Sequence, residues 1–157
     1  MKLIALLLPL VLVACASAPK PEPVSFPEKS IPDRTIPGRA AAGAAKMVGK
    51  PYKYGGATPA GFDCSGLVHF SYQQAGVSLP RSTAEQRRAS QRVKVAELKR
   101  GDLLFFDQEG KKHSHVGIYL GERRFVHAPS SGKHVRNDSL DSPYWKKHLS
   151  EIRRVTA

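Results

Sequence analysis

The hydrophobic period changes once along this chain, and that change constrains the fold more than any other feature of the sequence. Arg39 to Val48 is alanine-rich and suits a helix stopped by Gly49 and Pro51. Pro51 to Phe62 reads as a loop, Tyr-Lys-Tyr-Gly-Gly followed by Thr-Pro-Ala-Gly. From Cys64 to Ala75, Leu67, Val68, Phe70, Ser71, Tyr72 and Ala75 fall at helical spacing, and Gly76 supplies a C-terminal stop. Ser82-Thr83-Ala84-Glu85 reads as a capping box that opens another short helix. Beyond it the period shortens. Asp102 to Asp107, His115 to Leu120, Arg124 to Ala128 and Glu151 to Thr156 are short β-like runs separated by Gly, Asp, Lys and Ser. Helices first and strands afterwards predict an α+β domain, with the N-terminal helices packed on an antiparallel sheet.

That layout brings a thiol and two imidazoles into one argument. Only two cysteines occur in 157 residues. Cys64 opens the second helix, where the helix dipole and free N–H groups favour the thiolate, the reactive form of cysteine. His115 begins an apolar strand and is the candidate base, whose imidazolium would lower the thiol pKa further. His127 lies on the next strand and is the candidate to hold the His115 ring through its second nitrogen. A histidine in that third place leaves the site without a formal negative charge. His113 lies two residues before His115 and would share its strand face if the strand reached that far. His115 is preferred because it directly begins the apolar run. His69, His134 and His148 have no comparable context. The backbone N–H of Cys64 and a nearby hydroxyl are candidates for an oxyanion hole.

The N-terminus points to export. Lys2 precedes an apolar run from Leu3 to Val13, too short for a membrane-spanning helix, which needs ~20 apolar residues. Leu12-Val13-Ala14-Cys15 resembles the bacterial lipobox, which implies a signal peptide over 1–14, a lipid on Cys15 and anchoring by several acyl chains. Ala16 after the cysteine points to the outer membrane under the same rule. Six of the twelve prolines fall between Ala16 and Pro37. Residues 15–37 therefore read as a lipidated cysteine and an extended tether, reaching on the order of 70 Å at ~3.1 Å per residue. Residues 38–157 remain as one catalytic domain, large enough for a core without disulfides.

The formal charge of +12 would suit nucleic acid, but the export signal argues against it and the basic residues are dispersed pairs. Anionic polymers outside the cytoplasm, such as peptidoglycan and membrane headgroups, are the expected partners.

Asp-Cys-Ser-Gly-Leu-Val (63–68), Leu-Pro-Arg-Ser-Thr-Ala-Glu-Gln (79–86), Arg-Gly-Asp-Leu-Leu-Phe-Phe (100–106), His-Val-Gly-Ile-Tyr-Leu-Gly (115–121) and Phe-Val-His-Ala (125–128) occur in order. Together they resemble the NlpC-type family of bacterial cell-wall cysteine peptidases. Pro-Tyr-Trp-Lys-Lys (143–147) and the lipobox bring the chain nearest to the outer-membrane murein endopeptidase lipoproteins of that family. The resemblance implies a papain-like α+β fold, Cys64 as nucleophile, His115 as base, His127 as the polar third residue and Tyr52 near the oxyanion. Asp63, Ser65 and Arg81 are weaker candidates, for positioning substrate charges or the loop. No cofactor is implied, and a periplasmic domain anchored through Cys15 is expected. Three other readings stay open. Zinc could take Cys64, His115 and His127, although closely spaced ligand pairs are missing. The chain could bind peptidoglycan without cutting it. It could also transfer an acyl group to an amine instead of to water.

Overall fold

Helices precede the sheet, as the change of period predicts. The computed structural model describes residues 34–130 and 132–156. The expected signal peptide, Cys15 and the tether as far as residue 33 lie outside the described residues.

Helix α1 spans Ile36–Ala45 and α2 spans Cys64–Gln74. Thr35 caps α1 by accepting the Gly38 N–H at 3.1 Å, and Pro37 occupies the first turn, where its missing N–H costs nothing. The helix thus begins two residues before Gly38. Ala40, Ala41 and Ala44 are fully buried. Asp63 caps α2, its Oδ1 accepting the Gly66 N–H at 2.7 Å. Leu67, Val68 and Tyr72 are buried from this helix, and the Tyr72 hydroxyl donates to the Gly101 carbonyl at 2.7 Å.

Between the helices, β1 (Ala57–Thr58) and β2 (Gly61–Phe62) form a small hairpin inside the expected loop. Helix α3 (Thr83–Arg88) starts where the capping box predicts. Ser82 Oγ accepts the Glu85 N–H at 3.3 Å, and the hydroxyl itself donates to the Glu85 carboxylate at 2.6 Å.

Six strands complete the domain: β3 (Gln91–Arg92), β4 (Leu103–Gln108), β5 (Lys111–Gly121), β6 (Arg124–His127), β7 (Arg136–Ser139) and β8 (Leu149–Arg154). Their order is β3-β8-β4-β5-β6-β7, and every pairing is antiparallel. A short helix, α4 (Pro143–His148), precedes β8. Strands β3 and β7 and helix α4 carry no apolar alternation and are not read from the sequence.

Both faces of the sheet are covered. On one, α1 and α2 pack over Leu103, Phe105, Val116, Ile118 and Val126. On the other, Leu104, Phe106, Tyr119, Phe125 and Ile152 pack with Trp145 of α4 and Leu140. This double cover explains why Leu103-Leu104-Phe105-Phe106 is apolar without alternation, all four being fully buried. Each such side chain contributes about 1.5–3 kcal/mol of burial.

The β4–β5 pairing contains the one irregularity that matters for the site. Phe106 pairs with His115 and Gln108 pairs with Lys111, so residues 112–114 bulge opposite Asp107. Within the bulge His113 has φ of +49°, and its N–H donates to Asp107 Oδ1 at 2.8 Å. The strand does reach His113, but the bulge breaks the alternation that would put it with His115.

Candidate active site

The site has a helical wall and a sheet wall. Cys64 lies in the first turn of α2, half-buried, with Sγ 3.8 Å from Thr83 Oγ1 of α3. Backbone groups of Val116 and Ser65 also reach the sulfur, so the thiol sits against the strand residue that follows His115. Burial pushes the thiol pKa up. The Thr83 hydroxyl and the Val116 and Ser65 backbone pull the other way and do not overcome it. The expected depression of the thiol pKa therefore does not hold in the resting groove, because desolvation outweighs the helix terminus.

Asp63, Ser65 and Arg81 form one network beneath Cys64. Arg81 donates to Asp63 Oδ2 at 2.6 Å, to Ser65 Oγ at 2.9 Å and to the Gly56 carbonyl at 3.1 Å. Asp63 Oδ2 also accepts the Gly55 N–H at 2.9 Å. These contacts tie the Tyr-Lys-Tyr-Gly-Gly loop to the start of α2, so all three residues are placed to hold that loop. The approach is close: a Cβ on Gly66 would lie 1.9 Å from the Gly56 carbonyl oxygen. Gln86, fully buried, fixes α3 by donating to the carbonyls of Ser65 and Pro80 at 2.8 and 2.9 Å. Tyr52 is anchored through its backbone N–H to the Lys133 carbonyl at 2.8 Å. Its phenol makes no hydrogen bond among the described residues. Its pKa is raised by burial first and then by the charges of Cys64 and Asp63, which places it beside them.

The sheet wall is a chain of imidazoles. His115 Nε2 lies 2.8 Å from His127 Nδ1, and both residues are buried. Register explains the meeting: Ile118 pairs with Val126, which sets His127 opposite Gly117 and one diagonal step from His115. Gly117 leaves the room, since a Cβ there would lie 2.8 Å from the Phe125 ring and 3.3 Å from His127 Cβ. Trp145 stacks on His115, with ring centroids 5.8 Å apart, and meets His127 edge to face. Burial, and then the neighbouring His127, lower the His115 pKa to about 3; burial also lowers that of His127. Both rings are neutral in the resting site.

The chain does not end at His127. Its Nε2 lies 2.9 Å from Asp138 Oδ2 on β7, a residue the sequence reading does not include. Burial would raise the Asp138 carboxyl, but hydrogen bonds from His127 and Arg136 outweigh it and hold the pKa at about 2. The expectation of a site without formal negative charge is thus corrected. Asp138 sits in Arg-Asn-Asp-Ser, where no apolar neighbour marks a strand, and only the pairing of Phe125 with Asp138 puts it diagonal to His127.

Cys64 lies against Val116, the residue after His115, yet among the described residues the thiol makes no hydrogen bond to His115, and His115 Nδ1 makes none at all. Catalytic contacts of this kind are often long without substrate. His113 lies elsewhere, its Nδ1 2.9 Å from Ser150 Oγ on β8. Thr83 at the thiol and Trp145 on the imidazoles complete the contacts of the site. The first was legible only as part of a capping box and of the resemblance, the second only as part of the resemblance.

Known proteins resemble this chain over most of the described domain. The probable endopeptidase NlpC homolog of Haemophilus influenzae is 43% identical over 111 residues, covering 70% of this chain and 58% of its own length. The murein DD-endopeptidase MepS/murein LD-carboxypeptidase of Escherichia coli is 45% identical over 112 residues, covering 71% of this chain and 58% of its own length. The chain thus spans little more than half the length of these relatives. A lipoprotein-like NLP/P60 family structure from Staphylococcus aureus superposes with a TM-score of 0.68 at 36% identity, over 88% of this chain and 45% of that one. The NlpC/P60 family model matches residues 49–154, from the end of the first helical segment through the last strand, and the chain belongs to the NlpC/P60 family.

Proposed function

We propose that this protein is a murein endopeptidase that cuts peptide bonds of peptidoglycan through a thioacyl enzyme. The observation that carries the reading is the buried, hydrogen-bonded His115–His127 pair on the sheet together with a thiol at a helix N-terminus, in a chain of this family. Related proteins named as murein endopeptidases support the substrate class.

In this mechanism Cys64 turns from Thr83 toward His115 as substrate fills the groove. Sγ bonds to the amide carbonyl carbon while the thiol proton passes to His115 Nδ1. The tetrahedral oxyanion is met by the Tyr52 hydroxyl and the Cys64 backbone N–H. The C–N bond then breaks, and His115 gives its proton to the leaving amine. Water next attacks the thioacyl carbon, His115 takes its proton, and the proton returns to the sulfur as the acid departs. A raised thiol pKa and a lowered imidazole pKa make the resting pair neutral, so His115 acts as a true general base.

The lipobox reading extends this to location: a lipid on Cys15 would hold the domain on the periplasmic side of the outer membrane. Globomycin treatment should then leave a larger precursor, and an unchanged size would remove the anchor from the proposal.

Mass spectrometry of muropeptides incubated with the full chain and with Cys64→Ala tests the activity. Conversion of cross-linked dimers to monomers only with Cys64 present identifies cross-link cleavage, and stems ending at D-glutamate identify stem cleavage. Equal turnover by Cys64→Ala sinks the peptidase reading.

A further inference from the structure

A single oxygen of Asp138 gathers four N–H groups. Oδ2 accepts from His127 Nε2 at 2.9 Å, Arg136 Nη2 at 2.9 Å, Trp145 Nε1 at 3.0 Å and Arg136 Nε at 3.1 Å. An ionised carboxylate only accepts, so the proton between Asp138 and His127 resides on His127 Nε2. A neutral His127 has one ring proton, which leaves Nδ1 bare. His115 Nε2 must then donate across the 2.8 Å contact. A neutral His115 with its proton on Nε2 has a bare Nδ1, the nitrogen left without a partner in the groove.

We propose that Asp138 is a positioning residue that acts through two imidazoles to fix the tautomer of His115, leaving Nδ1 as the base. Among the described residues, the groups facing His127 leave no other residue for the task. His115 faces it from β5, Arg136 and Asp138 from β7, Trp145 from α4 and Lys133 from the β6–β7 loop. Asp138 is the only anion among them. Without it, His127 Nε2 faces the donors Arg136 and Trp145 and turns acceptor. The His127 proton moves to Nδ1, His115 Nε2 must accept it, and the His115 proton moves to Nδ1. The thiol then meets an N–H instead of a lone pair, and the base is switched off.

Asp138 is also reachable from outside. It lines a cleft of about 470 Å³ together with Lys133, Arg136, Tyr144 and Trp145. A small carboxylate entering this cleft can take the place of a deleted Asp138 side chain, between the same donors.

The test uses nitrogen-15 NMR of the ring nitrogens in the full chain, which needs no substrate, with alkylation of Cys64 by iodoacetamide and muropeptide cleavage as rate readouts. Cleavage rests on the proposed activity; the tautomer does not. In the unaltered protein His115 should show a bare Nδ1 and a protonated Nε2. Asp138→Ala should reverse that assignment and slow alkylation and cleavage about 1,000-fold or more, the scale for a base held in the wrong tautomer. Added formate should restore part of the loss, which a purely structural defect would not allow. Asp138→Asn keeps an accepting oxygen, so it should retain the tautomer, lose less activity and move the acid limb of the pH–rate profile downward. If His115 Nδ1 stays bare in Asp138→Ala, the proposal is overturned. Should that variant not fold, an unmoved acid limb in Asp138→Asn overturns it instead. A correct tautomer in protein that cuts no murein would sink the peptidase reading and leave this one standing.

Discussion

The two walls of the groove are held by opposite means. The helical wall is polar: the Arg81–Asp63 ion pair joins side chains 37% and 13% exposed, and the residues involved lie between Tyr52 and Gln86. The sheet wall is buried and aromatic, with Phe106, Phe125 and Trp145 around two neutral imidazoles. Its carboxylate, Asp138, stands at the far end paired with Arg136, and its parts come from β5, β6, β7 and α4. The nucleophile thus stands on a frame of local hydrogen bonds, and the base on a frame of packing and register. Keeping a base neutral requires a dry site, whereas holding a loop against a helix end requires only matched donors and acceptors.

The largest effect separates the two histidines of β5. His115→Ala should lower muropeptide cleavage about 1,000-fold or more, the scale for loss of a base in a nucleophile–base pair. His113→Ala should leave it nearly unchanged, because that ring lies against Ser150. Equal losses would mean that the bulge does not divide their roles.

Next comes the tolerance of each wall to one added carbon. Gly66→Ala drives Cβ to 1.9 Å from a backbone oxygen, which cannot yield without moving the loop. The expected cost is about 3 kcal/mol or more, read from the urea midpoint. Gly117→Ala meets the Phe125 ring at 2.8 Å and the Val126 carbonyl at 3.0 Å, and a ring can shift. It should cost about 1–3 kcal/mol and also reduce activity, since His127 moves with the strand. A milder effect at Gly66 than at Gly117 would reverse the view of which wall is stiffer.

The smallest effect is the acid response of the sheet wall. Unfolded His115 takes a proton near pH 6.5, whereas the folded ring refuses one down to about pH 3. The unfolded state therefore binds more protons in that interval, and stability falls as pH drops through it, by about 2 kcal/mol between pH 7 and pH 5. Denaturant titrations at the two pH values, repeated on His115→Asn, should show a flatter dependence in the variant. The same slope in both would place the acid lability elsewhere, for example on His127.

Local signals announced the helical wall well. The Asp63 cap, the apolar spacing of α2 and the Ser82 capping box each act within one or two turns, so neighbouring residues suffice to show them. Strand β4 was legible as an apolar run, but its burial on both faces was not, because nothing nearby announces α4. Strand β7 was hidden for the same reason: Arg136-Asn137-Asp138-Ser139 is a strand only because β6 offers it hydrogen bonds.

The sequence by itself determined a helix opening at Cys64 and a sheet carrying His115 and His127, since residue type and period decide those elements. Tertiary structure alone decided three things. It turned His113 away, because the bulge opposite Asp107 breaks the alternation of β5. It raised the thiol pKa and lowered that of the imidazole, because burial depends on what packs around a group and not on its neighbours in the chain. And it brought Asp138 to His127, because a diagonal contact between strands is set by register, which no single segment contains.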